Sequence, residues 1–161
     1  MKMGRGVEWA VHSCLNLMWL GPEVAATAAR LAAFYDLPAA YLNKQFQALV
    51  RAGIATSVPG PHGGFRLARP PERISLLDVV TAIEGPEPAF RCMEIRQHGP
   101  LGGEPESFPA RCLVDQAMRR AELAWRRELA HQTLADLRAA VEQAAPAVPE
   151  RTRRWFADSR T

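Results

Sequence analysis

The sequence predicts a mainly helical fold with a small β-hairpin wing: a winged helix-turn-helix followed by a long dimerisation helix. Three observations predict it. Three helical patterns follow one another before residue 54. Two short β-like runs then flank a proline- and glycine-rich tip, "PGPHGG". Later, one uninterrupted helical pattern runs from Leu113 to about His131, long enough to need a partner subunit to pack on.

The first helix spans about residues 4–20, with Val7, Val11, Leu15 and Met18 at helical spacing, and "GP" at 21–22 stops it. "EVAATAARLAAFYD" predicts a second, alanine-rich helix that ends at "LP". Pro38 suits the first turn of a third helix, which runs to Gly53, a C-terminal cap. "IATSV" and "GFRLA" are the hairpin strands. In "SLLDVVTAIEGP", Ser75 is an N-cap with Asp78 three residues on, and Gly85-Pro86 ends the helix. Residues 86–112 form a long Pro/Gly-rich loop holding two of the three cysteines. The long helix carries Val114, Ala117, Met118, Ala121 and Trp125 on one stripe, and Thr133 opens a last helix through "TLADLRAAVEQ". The domain reading is 1–85 winged helix-turn-helix, 86–112 ligand-bearing loop, 113–144 dimerisation and packing helices, and 145–161 a mobile tail.

Composition excludes several classes. The chain has 161 residues, 48% hydrophobic and 23% charged, as in an ordinary globular protein. No apolar run is long enough to span a membrane, and no signal peptide precedes the first helix, so the expected location is the cytoplasm. Three cysteines in a reducing compartment read as thiols or metal ligands, not as a disulfide framework. No nucleophile–base constellation or phosphate loop argues for an enzyme. Residues 1–70 hold seven Lys/Arg against three Asp/Glu, which points to a polyanion partner on the N-terminal part. Glu8 and His12 stand four residues apart on one helix face, either a solvated pair or a pair of metal ligands. Cys14 is rotated about 200° from His12 around the helix and reads as core.

The stretch "YLNKQFQALVRAGIATSVPGPHGGFRLARPPERISLLDVVTAIEGP", the cysteine loop, the long helix and "TLADL" resemble the IscR/NsrR-type bacterial transcription regulators over about residues 1–143. The resemblance implies transcription regulation by a repressor-type homodimer on a palindromic double-stranded DNA operator, with affinity set by an iron–sulfur cluster. The common family pattern is three closely spaced loop cysteines. Here Cys92 matches the first, His98 stands six residues on where a cysteine would be, and Cys112 lies much further along. The chain is therefore most similar to a redox-sensing [2Fe–2S] branch with few cysteine ligands. The implied ligand set is Cys92 and Cys112 on one iron and Glu8 and His12 on the other, with His98 as the rival to His12.

The start of the third helix is expected to turn Ala39, Ala40, Tyr41, Asn43 and Lys44 toward the major groove, with Gln45 and Gln47 nearby. Family members often carry a minor-groove arginine at the position of Pro59; His62 at the wing tip is its partial substitute here, and Arg66 and Arg69 either touch phosphates or solvate the hairpin. Alternative readings keep the fold but sense nitric oxide or iron status through another cluster or none, or make the chain a zinc-stabilised winged-helix protein-interaction module.

Overall fold

The computed structural model describes residues 3–100, 102–103 and 108–158. The other positions, which include the ends of the expected first domain and tail and part of the loop, lie outside the described residues. The fold is mainly helical with a two-stranded antiparallel hairpin. The helices are α1 (Arg5–Leu20), α2 (Ala28–Phe34) and α3 (Ala39–Arg51), then α4 (Leu76–Glu84), α5 (Leu113–His131), α6 (Leu134–Ala144) and α7 (Val148–Asp158). The hairpin strands, β1 (Ala55–Val58) and β2 (Gly64–Leu67), fall between α3 and α4. The chain divides into two compact units, one made of Glu87–Glu128 and the other of the flanking segments.

In the larger unit, α1 buries Ala10, Cys14 and Leu17 against Leu31 of α2 and Phe46 of α3. Phe46 stacks on Phe65 of β2 at 4.8 Å, which joins the third helix to the hairpin. Each such fully buried large side chain contributes about 2 kcal/mol of transfer free energy. Helix α3 ends as expected at Gly53, whose φ of +67° needs no Cβ. The Gly53 and Ile54 N–H groups bond the carbonyls of Val50 and Leu49, closing the last turn in a Schellman pattern. Pro38 serves as the N-cap residue of α3, one position before the first turn.

Helix α2 is shorter than its alanine-rich sequence predicts. Thr27 caps it, accepting from the Arg30 N–H, so Glu23 to Ala26 stay outside the helix. Ala26 instead exchanges backbone hydrogen bonds with Phe65, at 3.0 and 2.8 Å. The residue thus serves as a short third rung on the hairpin, and tertiary pairing overrides helix propensity.

Both predicted caps are complete capping boxes: Ser75 with Asp78 on α4, and Thr133 with Asp136 on α6. The two helix starts are tied together. Ser75 and Thr133 form an isolated antiparallel bridge, with Leu76 N–H on the Gln132 carbonyl and Leu134 N–H on the Ile74 carbonyl.

The expected mobile tail is corrected. Residues 148–158 form α7, whose Phe156 is 2% exposed and belongs to the core. Phe156 stacks on Phe34, Trp155 meets Phe34 edge-on at 5.1 Å, and the Arg30 guanidinium lies over the Phe156 ring. Proline at the second position of α7 needs no intrahelical N–H partner, so it starts this helix without breaking it.

Candidate functional site

In the smaller unit the described residues between α4 and α5 are irregular apart from a 3-10 turn, Ile95–Gln97. Cys92 lies on this segment, and Cys112 immediately precedes α5. The fold brings the two sulfurs together with the carboxylate of Glu94, all donor atoms within 4.8 Å of one another. Cys92 donates its thiol hydrogen to Glu94 Oε1 at 3.4 Å. Glu94 adopts a left-handed backbone, φ +48°, uncommon for a residue with a Cβ. Arg96 grips Glu94 Oε2 through Nε and Nη2 at 3.0 and 2.7 Å, donates to the Ala110 carbonyl, and lies 5.0 Å over the Phe108 ring.

The electrostatics separate the two thiols. Backbone N–H groups of Asp115 and then Val114, at the start of α5, hold the Cys112 thiol below its ordinary value, with the Cys92 hydrogen bond and the Arg96 charge assisting. For Cys92 the Glu94 backbone N–H pulls downward, but burial and the neighbouring Glu94 carboxylate outweigh it and raise the thiol. Hydrogen bonding to Arg96 keeps Glu94 below the usual carboxylate range. Asp115 is 3% exposed and bridges Arg111 and Arg119 at 3.3 and 2.8 Å. A cavity of about 580 Å³ opens beside the sulfurs, lined by Phe90, Met93, Ile95, Leu113 and Val114 among others. Two thiols, one already biased toward thiolate, with a carboxylate and an apolar surround, form a donor set that suits iron or zinc.

Glu94 is the site residue that sequence reasoning missed. Its signal is the C-x-E spacing of "RCMEIR", which aims a carboxylate back at Cys92 only once residue 94 turns left-handed. Glu8 and His12, the other two expected ligands, are exposed on α1 in the larger unit. His12 packs edge-on against Tyr35 at 5.6 Å, and its carbonyl accepts from the Tyr35 hydroxyl. His98, the rival, is exposed at the end of the 3-10 turn. Cys14 is fully buried, as expected, and burial pushes its thiol up to about 12.

On the helix-turn-helix, Ala39, Ala40, Tyr41, Asn43, Lys44 and Gln47 are exposed along one side of α3. The expectation for Gln45 is corrected. It is 6% exposed and turned toward α1, where a Cβ on Gly6 would lie 2.9 Å from its carboxamide carbon. The close approach of the two helices consumes that side of α3, so Gln45 joins α1 to α3 and does not face outward. Tyr41, 43% exposed, rests edge-on against Trp9 at 5.1 Å. His62 is exposed at the hairpin tip, and Arg66 pairs with Glu23 at 3.2 Å. No helix among the described residues is long and apolar enough to cross a membrane.

A helix-turn-helix with a hairpin wing, an exposed face on its second helix and a separate thiol-bearing loop together define a DNA-binding regulator. The comparisons with known proteins make this particular. The family model described as Rrf2, iron-dependent transcriptional regulator, matches residues 3–140. The chain is 31% identical to YwgB of Bacillus subtilis (strain 168) over 134 residues, 83% of this chain and 82% of that one. It is also 31% identical to the protein rrf2 of Nitratidesulfovibrio vulgaris, covering 85% and 87% of the two chains. The solved structure of CymR, the global cysteine regulator of B. subtilis, superposes with a TM-score of 0.67 at 22% identity, covering 87% of this chain and 98% of that one. IscR of T. potens gives a TM-score of 0.67 at 21% identity, over 90% and 91%. The chain belongs to the Rrf2 family: it is a DNA-binding transcriptional regulator of the winged helix-turn-helix type, not an enzyme.

Proposed function

We propose that this chain is a homodimeric regulator whose affinity for a palindromic operator follows the redox state of a [2Fe–2S] cluster. The observation that carries the reading is the convergence of the Cys92 and Cys112 sulfurs beside an apolar cavity. In the homodimer, Cys92 and Cys112 of one protomer hold one iron, and Glu8 and His12 on α1 of the second copy complete the other, a pairing in which imidazole replaces thiolate as in Rieske-type centres. Bound there, the cluster supplies reversible one-electron chemistry. Arg96 and the α5 N–H groups offset the charge on the thiolates. Helix α1 bears Glu8 and His12 and also touches the recognition helix, through Trp9 on Tyr41 and Gly6 under Gln45. A shift of α1 therefore displaces the face carrying Ala40, Tyr41, Asn43 and Lys44, while His62 and Arg66 contact the backbone beside it.

The homodimer is supported by α5, whose Leu113, Val114, Met118 and Leu123 are all at least 43% exposed within one chain. Paired Val114→Glu and Met118→Glu changes are expected to convert dimer to monomer in sedimentation. Glu94 favours one second reading, a single zinc held by Cys92, Glu94 and Cys112.

Anaerobic purification with iron, inorganic sulfide and zinc analysis decides between them. Equimolar iron and sulfide with visible colour supports the cluster, and a colourless zinc protein overturns it. Loss of colour in His12→Ala with retention in His98→Ala supports the ligand assignment, and the reverse overturns it. Operator binding should weaken steeply as salt rises; a flat response removes the electrostatic contact with DNA.

A further inference from the structure

A second cavity, of about 650 Å³, lies in the larger unit where the C-terminal end of α1, the base of the hairpin and α6 meet. Three arginines line it, Arg66, Arg69 and Arg138, against one acidic residue, Glu23. Arg66 is presented by β2, directly across from Thr56, which lines the same cavity.

None of the three is well neutralised. Arg66 pairs at 3.2 Å with Glu23, whose side chain is 88% exposed and so competes with water for the contact. Arg69 reaches Asp78 only at 3.6 Å, and the same Asp78 oxygen already accepts the Ser75 N–H of the α4 capping box at 2.9 Å. Arg138 reaches Glu142 at 3.8 Å, on the oxygen that accepts the Trp19 indole N–H at 2.9 Å. Arg69 Nε is shielded from solvent and has no acceptor among the described residues. The Arg69 guanidinium is therefore incompletely paired, and its side chain, 37% exposed, leaves it able to meet an anionic acceptor in the cavity. The remaining wall is apolar, with Leu17, Met18 and Leu67.

We propose that this cavity binds a small phosphate monoester with an apolar body. A monoester carries close to two negative charges and three acceptor oxygens, which matches three forked donors. A DNA backbone phosphate carries one charge and has no apolar group to fill the Leu17–Met18–Leu67 wall. The site is separate from the thiol loop and independent of whether a cluster is bound. It touches both the wing and α6, so an occupant bridges the two.

Calorimetric titration of the full-length protein with phenyl phosphate tests the proposal. Saturable binding is expected, tighter than for inorganic phosphate, with none for benzyl alcohol. Arg69→Gln and Arg138→Gln should each weaken it about tenfold, the value of one charge-assisted hydrogen bond. Glu23→Gln, an exposed change that releases Arg66, should tighten it. Wild-type protein that fails to bind phenyl phosphate overturns the proposal, as does binding unchanged in both arginine variants. Because Arg66 also contacts the DNA backbone in the proposed regulator, duplex DNA is expected to compete with phenyl phosphate; a loss of DNA affinity in Arg69→Gln and Arg138→Gln that matches their loss of phenyl phosphate binding overturns the proposal and makes those two arginines backbone contacts as well.

Discussion

Cys14 shows how one residue's surroundings decide its chemistry. It sits two residues beyond His12, but burial holds it as a neutral thiol with a value of about 12. Cys112 has the same side chain and is held down by the N–H groups that open α5. Alkylation of metal-free, reduced protein at mildly alkaline pH should therefore label the loop cysteines and spare Cys14 until denaturant is added, read by peptide mass spectrometry. Labelling of Cys14 in native protein would contradict the packing of α1. The place of Cys14 is legible in the sequence because helical geometry alone separates it from the His12 face. The burial of Gln45 is not, because nothing local reveals that Gly6 lets α1 come within contact distance. Nor is the approach of Glu94 to the sulfurs, because its place in the donor set depends on a backbone angle that its residue type disfavours.

At the scale of elements, the caps were the most legible features. The Ser75–Asp78 and Thr133–Asp136 boxes are local patterns, and their physics is complete within four residues. Helix α2 and α7 were less legible. Alanine-rich sequence at 24–27 carries helix propensity, yet Ala26 is drawn into the hairpin, and the proline- and arginine-rich tail gains its order from Phe34 and Arg30 of distant sequence. The α6 cap also carries a pH signature. Hydrogen bonds from the Thr133 hydroxyl and then its backbone N–H hold the Asp136 carboxyl below its ordinary value. The folded state thus binds its proton less readily than the unfolded chain. The stabilisation is complete above the ordinary carboxylate range and is lost as pH falls below it, through the lowered value of the folded state. Urea unfolding at neutral and acidic pH should show this loss, and Asp136→Asn should flatten it. An identical acid dependence in the variant would remove Asp136 as a contributor.

For the whole molecule, α7 closes the core of the larger unit over α1 and α2, beyond the segment that the family model matches. Phe156 is its anchor. Phe156→Ala should cost about 3 kcal/mol by equilibrium unfolding, as a cavity opens beside Phe34 and the Arg30 contact is lost. An effect near zero would show that α7 merely covers a core already closed. The fold was readable in outline because its helices, hairpin and caps are locally encoded. The partnership of α1 with α3, and of α7 with α2, was not, because each rests on contacts between residues far apart in sequence.

The bridge between Ser75 and Thr133 has a consequence for how such a protein can diversify. The thiol-bearing excursion leaves the winged helix after α4 and is followed by α6, and the starts of both helices are fastened to each other by backbone hydrogen bonds. It is a cassette held at its base. Lengthening such a cassette adds only slowly growing closure entropy, so insertions and respaced ligands within it leave the reading head intact. A chain built this way can change its thiol-bearing loop while its helix-turn-helix stays as it is.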